Sequence, residues 1–318
     1  MIAPRRLLLM LGLGVAAIGT IADRLVPAQP AGAGMLTELI SGARPGYAPD
    51  RTAAVPNAAA IVRRFWAPEL DAWYNPQGLA VADGAVLVAA YRSDAADRHR
   101  GPCRLFRLDD YSGRETGSLD IPPPCGHAGG LALAGDGTLY LADTHTLFGI
   151  YLRQAFWGPQ LPMKRLRLGP GLVGALAVSA PGAIWLGSYR EDGPGRLYRF
   201  PAERLARLPD AGTLTTADAD SELPIPSYAQ GGAFDHDGVL WIARSDTRWG
   251  ELARLSPAGG VVRRHAVAPG VEGVAFDPEG RLWAVSEAGV RHAYDNFYAP
   301  WINPFFPLVF ALDPARLE

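Results

Sequence analysis

The chain has 318 residues, a formal net charge of -2 and a pI near 6.3. That balance leaves no basic footprint for nucleic acid, so no nucleic-acid partner is expected. The length suits one large all-β domain behind a leader and does not require two.

Met1–Leu25 reads as a targeting segment. Arg5 and Arg6 form a positive start, and Leu7–Ile21 runs fifteen residues without a charge, short for a membrane span and right for a signal core. Ala31-Gly32-Ala33 offers a small-residue cleavage site before Gly34. Residues 1–33 are therefore read as a signal peptide, with an uncleaved N-terminal anchor as the alternative. The body is expected to be exported, periplasmic or secreted, and to touch a membrane only through that segment. Residues 34–60, rich in Ala, Gly and Pro apart from an apolar island at Met35–Ile40, read as a mostly irregular linker, and 61–318 as the folded domain.

Structure is predicted to begin at Ile61-Val62-Arg63-Arg64-Phe65, which closely matches Val261-Val262-Arg263-Arg264-His265. Between and beyond these lie five copies of one pattern: apolar strand, tight turn, apolar strand. They are QGLAVADGAVLVAA from Gln77, GGLALAGDGTLYLA from Gly129, GALAVSAPGAIWLG from Gly174, QGGAFDHDGVLWIA from Gln230 and VEGVAFDPEGRLWAVS from Val271. One alanine column runs through them, Ala80, Ala132, Ala177, Ala233 and Ala275, at spacings of 52, 45, 56 and 42 residues. A period of this size with a hairpin in each unit specifies a β-propeller of five recognisable four-stranded blades.

Within a blade, strands a, b, c and d run outward from the axis, and the repeated hairpin is a and b. Strand c reads at Leu105–Leu108, Leu197–Phe200, Leu252–Leu255 and Leu308–Leu312, and strand d at Glu115–Ile121, Lys164–Leu168 and Val261–Val267. The last blade lacks a strand d of its own, and Ile61–Trp66 is the spare one. It is expected to close the ring and remove an open edge. Strand b carries Tyr140, Trp185, Trp241 and Trp283, expected to pack between blades. Cys103 and Cys125 flank the hairpin Arg104–Ile121; in an exported chain an isolated pair at facing strand ends is expected to be a disulfide.

The short a–b turns suit a plain bottom face. The longer d–a and b–c loops share the top face with the channel mouth, where binding is expected. Gln77, Gln230 and Glu272 stand with Gly129 and Gly174 at the tops of the inner strands. After strand b come Tyr91 and Arg92, Asp143 and His145, Tyr189 and Arg190, Arg244 and Asp246, and Glu287; His127 sits in a d–a loop. The last b–c loop, Ala288–Pro307, adds Arg291, His292, Tyr294 and Trp301. Such a set suits a small polar ligand, or a protein partner, at the top face of a monomer. No HExxH, CxxC, GxSxG or phosphate loop occurs, and no catalytic residue is assigned.

The stretch Glu272-Gly273-Val274-Ala275-Phe276-Asp277-Pro278-Glu279-Gly280-Arg281-Leu282-Trp283 resembles the SMP-30/gluconolactonase-like propellers, and Gly130–Asp143 is similar to NHL repeats. The first resemblance implies a six-bladed, TolB-like ring as the alternative to five. It also implies a metal-dependent lactonase or esterase holding a divalent cation, often calcium, through a glutamate, two asparagines and an aspartate. Glu272 matches the glutamate and Asp143 follows a strand b as the family aspartate does. Gln77 and Gln230 stand in the asparagine slots. Without the resemblance no cofactor is expected.

Overall fold

The computed structural model describes residues 33–93, 101–157, 163–174, 176–246, 248–295 and 304–318. The leader reading, on residues 1–32, lies outside them.

The described chain opens with β1 (Ala33–Leu36) and β2 (Arg51–Ala53), a two-stranded sheet, followed by β3 (Ile61–Trp66). Five four-stranded units then follow. The first holds β4 (Tyr74–Ala82), β5 (Ala85–Arg92), β6 (Cys103–Asp109) and β7 (Glu115–Ile121). The second holds β8 (Gly130–Leu133), β9 (Thr138–Ala142), β10 (Thr146–Tyr151) and β11 (Lys164–Leu168). In the third, β12 (Leu176–Ala180), β13 (Ala183–Gly187) and β14 (Gly195–Pro201) are followed by β15 (Thr213–Leu214) and β16 (Ser221–Ile225). Here β16 completes the blade, while β15 crosses over to pair in parallel with β11 and ties the second and third blades together. The fourth holds β17 (Ala229–Phe234), β18 (Leu240–Asp246), β19 (Trp249–Leu255) and β20 (Val261–Val267). The fifth has β21 (Val271–Phe276), β22 (Leu282–Ser286) and β23 (Leu308–Leu312), and its outermost strand is β3.

The protein is thus a five-bladed β-propeller closed by its N-terminal strand, and the six-bladed alternative does not hold. Inner strands β4, β8, β12, β17 and β21 touch in a ring, each meeting both neighbours. Closure runs antiparallel, with Leu308 opposite Trp66 and Val309 opposite Phe65. Phe65 and Trp66 are buried, and the Phe65 ring lies 5.7 Å from Trp283. Strand-b aromatics do pack between blades: Trp185 meets Phe234, and Trp241 meets Phe276, each from the next inner strand. The indole N–H groups of Trp241 and Trp283 donate to Asp235 and Asp277, carboxylates that also take the turn amides of Val239 and Arg281. The D-x-x-G turn and the tryptophan it precedes are therefore one unit.

Two further features position the site. First, the inner strands converge at glycines. A Cβ on Gly273 would lie 2.2 Å from the Leu79 backbone nitrogen, one on Gly231 2.5 Å from the Glu272 carbonyl, and one on Gly78 3.2 Å from the Ala128 carbonyl. Second, β4, β17 and β21 each carry an extra residue against their strand b at this level, between Pro76 and Leu79, between Ala229 and Gly231, and between Val271 and Val274. Such bulges re-aim a side chain, and here they carry Gln77, Gln230 and Glu272.

Residues 34–60, expected as an irregular linker, are folded onto the fifth blade. Thr37, Ile40, Thr52 and Ala60 are buried, the Ala53 amide donates to the Phe305 carbonyl, and the Trp66 amide to Ser41. Asn57 donates to Ala266 and accepts from the Glu318 amide. The composition is loop-like because much of this segment pairs with the blade rather than with itself.

Beginning the chain at Ile61 should therefore leave a folded but weakened propeller, with burial of Ile40 and Tyr47 alone representing about 3 kcal/mol or more. Beginning it at Ala67 should abolish cooperative unfolding, because β23 becomes an open edge; denaturant melts of the two chains check this. Gly273→Ala should cost about 3 kcal/mol or more by overpacking. Gly135→Ala, where a Cβ meets nothing within 4 Å, should stay within about 0.5 kcal/mol in the same melts.

Candidate functional site

The channel mouth forms where the bulged strands meet the b–c loops. Gln77 and Glu272 are buried, and Asn75 is fully so. The Gln77 amide donates to the Glu287 carboxylate at 2.6 Å and to the Pro76 carbonyl. Asn75 Oδ1 lies 3.2 Å from Nδ1 of His292. Its Nδ2 has no hydrogen-bond partner among the described residues. A buried, unpaired amide donor costs about 1–3 kcal/mol. Gln77 and Glu287 meet here, as do Asn75 and His292, and Glu272 is buried on β21. The signal for Asn75 was available: it precedes Gln77 by two residues on the same strand.

Across the mouth, Tyr189, Tyr228 and Trp249 form a row, with ring centroids 6.3 and 5.6 Å apart and edge-to-face geometry. Tyr228 holds a left-handed φ of 59°, unusual for a bulky residue, and its amide donates to the Arg190 carbonyl. Burial, then the neighbouring Glu191 charge and hydrogen bond, push the Tyr189 phenol well above its ordinary range, with a smaller contribution from Glu272. Tyr228 and Trp249 carried no sequence signal, since their neighbours in this row lie on other loops.

Several arginines of the predicted cluster have structural partners. Arg244 pairs with Glu251, donates to the Ser227 carbonyl and stacks over Trp249. Arg291 donates to the Asp71 carbonyl, pairs with Asp295 and lies 4.5 Å over the Trp73 ring. Arg190 is exposed and reaches the Asp192 carbonyl, and Arg92 is exposed. Asp246 caps its own turn through the amides of Arg248 and Trp249. His145 is exposed and Gln230 half-buried. Trp301 lies outside the described residues.

Asp143 is a loop lock. Its Oδ1 accepts from the amides of Gly126, His127 and Ala128 at 3.2, 2.6 and 3.0 Å. The His127 ring packs edge-on against Tyr91, 5.6 Å away. Cys103 and Cys125 form the expected disulfide, with Cα atoms 5.8 Å apart, and the Cys125 sulfur lies 3.7 Å from the same carboxylate oxygen. The bridge stabilises by roughly 3 kcal/mol in the chain-entropy model.

These contacts bear on the implied cation. Calcium takes 6–8 oxygen ligands. The compact Cys103, Cys125 and Asp143 group offers no thiolate, because its sulfurs are bonded to each other. Three N–H dipoles already point at Asp143 Oδ1, the wrong polarity for a cation site. Gln77 turns its NH2 toward Glu287. The described donor set does not fit a calcium centre built on Glu272 and Asp143.

No family model matches the chain, and no curated protein matches it. Among solved structures it is similar to regucalcin, a calcium-binding protein from Agrobacterium tumefaciens, at 18% identity over 82% of this chain and 93% of that one, TM-score 0.46. It is also similar to virginiamycin B lyase from Staphylococcus aureus, at 15% identity over 70% and 67%, TM-score 0.38. A Bacteroides caccae protein of unknown function matches at 12% identity, TM-score 0.37; the match takes in 59% of this chain and spans 62% of the length of that one.

Burial sets a pH limit. It pushes the Tyr140 phenol from 10.0 up to about 12, with Asp136 adding to it, and raises Tyr47 and Tyr189 further. Above the unfolded value of 10, the unfolded chain releases these protons while the folded one holds them. Stability should be fully present below pH 10 and fall as pH rises toward 12 and beyond. Phenolate absorbance near 295 nm, followed alongside the melting temperature, should show these tyrosines ionising late, together with unfolding.

Proposed function

We propose that the protein is an exported binding propeller that holds a small polar ligand at the top-face mouth. The supporting observation is the buried polar set Asn75, Gln77 and Glu272, with Glu287 and His292 beside it and the Asn75 donor unpaired among the described residues. The half-buried Glu287 and His292 are the groups of this set within reach of a ligand, and Tyr189, Tyr228 and Trp249 add partly exposed, edge-to-face aromatic rings. The Cys103–Cys125 disulfide suits an oxidising compartment, which is the support for export. No described helix is long and apolar enough to cross a membrane. A protein partner is the second occupant of the same face, favoured by the exposed arginines Arg92 and Arg190 at its rim. A metal-dependent lactonase has Glu272 on its side but not the rest of a ligand set.

Glu272→Gln keeps volume and recreates the residue found at positions 77 and 230. It should leave the melting temperature nearly unchanged and weaken top-face ligand binding at least about tenfold, the loss of one charge-assisted hydrogen bond. Screening polar metabolites against wild type and variant by thermal shift tests this; a ligand held equally by both moves the site outward to Arg291 and His292. Stoichiometric calcium retained by the wild type and lost in Glu272→Gln would select the lactonase instead.

A further inference from the structure

The bottom face is not plain. Below the collar of Gly78, Gly231 and Gly273, the inner strands part around a cavity of about 190 Å³. Leu79, Val81, Leu131, Leu133, Val274 and Phe276 line it, about half of its surface is polar, and among the described residues no charged side chain lines it. Among the described residues Ser179 brings the one side-chain hydroxyl, already used to accept the Leu133 amide. Val81, Leu133 and Phe276 are half-exposed, so the cavity opens toward the a–b turns. Those turns carry carboxylates. Asp83, Asp136, Asp237 and Glu279 are exposed on four of the five, and the guanidinium of Arg281 is held by Asp277 and Glu279. A cavity of comparable size has room for a benzene-sized guest. A ring of carboxylates around its opening favours a positive group there.

We infer that the lower channel is a second binding site, distinct from the top-face mouth, for a small amphiphilic cation: a single aryl or short alkyl body seated among Leu79, Leu131 and Val274, with an ammonium at the acidic rim. The polarity of the two ends selects its orientation. An anion of the same shape meets the rim carboxylates and is rejected.

Calorimetric titration with benzylamine, benzyl alcohol and benzoate tests it on the intact chain. Benzylamine should bind tightest, roughly threefold or more above the alcohol at low ionic strength, with the gap closing at about 1 M salt as exposed charges are screened. Benzoate should bind weakest. Val81→Trp fills the half-exposed opening and should weaken both neutral and cationic probes at least about tenfold by occupying the volume they need. Leu133→Trp does the same from the next blade, should the first variant fold poorly. Asp83→Asn with Asp136→Asn should shrink the amine's advantage and leave the alcohol unchanged. Absence of saturable binding by benzylamine and benzyl alcohol overturns the site, as does full binding by both tryptophan variants. Benzoate binding as tightly as benzylamine overturns the assigned charge.

Discussion

Five inner strands must meet around one axis, and the backbone contact at their glycines is what the rest of the molecule depends on. At Gly273 a side chain has no room, since its Cβ would lie 2.2 Å from a backbone nitrogen of the next blade. The strands are brought to that distance by one extra residue in each of β4, β17 and β21. The same device that lets the ring contract therefore turns Gln77, Gln230 and Glu272 out of the regular alternation. At these positions a polar residue is followed directly by the glycine of the close contact, Gln77-Gly78, Gln230-Gly231 and Glu272-Gly273.

The ring is held shut by a strand pairing and then strapped. β3 supplies the outer edge of the fifth blade, while the segment before it lays Ile40 and Tyr47 over the same blade. Tyr47 packs among Tyr294 and Phe305 and donates to the Gly289 carbonyl, next to the loop that carries His292. Chain closure and the frame of the mouth are one arrangement, so the geometry of His292 depends on residues more than 200 positions away. The disulfide and the Asp143 lock do the corresponding work between the first two blades.

The two ends of the channel differ in chemistry. The top has buried amides and carboxylates beside a row of aromatic rings. The bottom has a mixed lining of apolar side chains and polar groups, with exposed carboxylates on the a–b turns. At the top, bulges and long loops bring polar residues inward, while below the collar consecutive residues of the inner strands line the channel.

The hairpins, the blade number, the terminal closure and the disulfide were legible from the chain, because each is signalled by local pattern: period-two apolar runs, turn residues at fixed offsets, and two matching strand segments at Ile61 and Val261. Strands β10 and β16 fall outside that local pattern; β16 carries Pro224, tolerated because the strand lies at the outer edge of its blade. The positions of Gln77 and Glu272 on the inner strands β4 and β21 follow from strand order. Their partners were not readable, nor was the diversion of Arg244 and Arg291 into ion pairs, nor Asp143 as a loop lock, nor the docking of residues 34–60. Each of these depends on which side chains meet across distant parts of the chain. Local sequence determines the blades; only their closure around a shared axis decides which polar groups are spent on holding the ring and which face the channel.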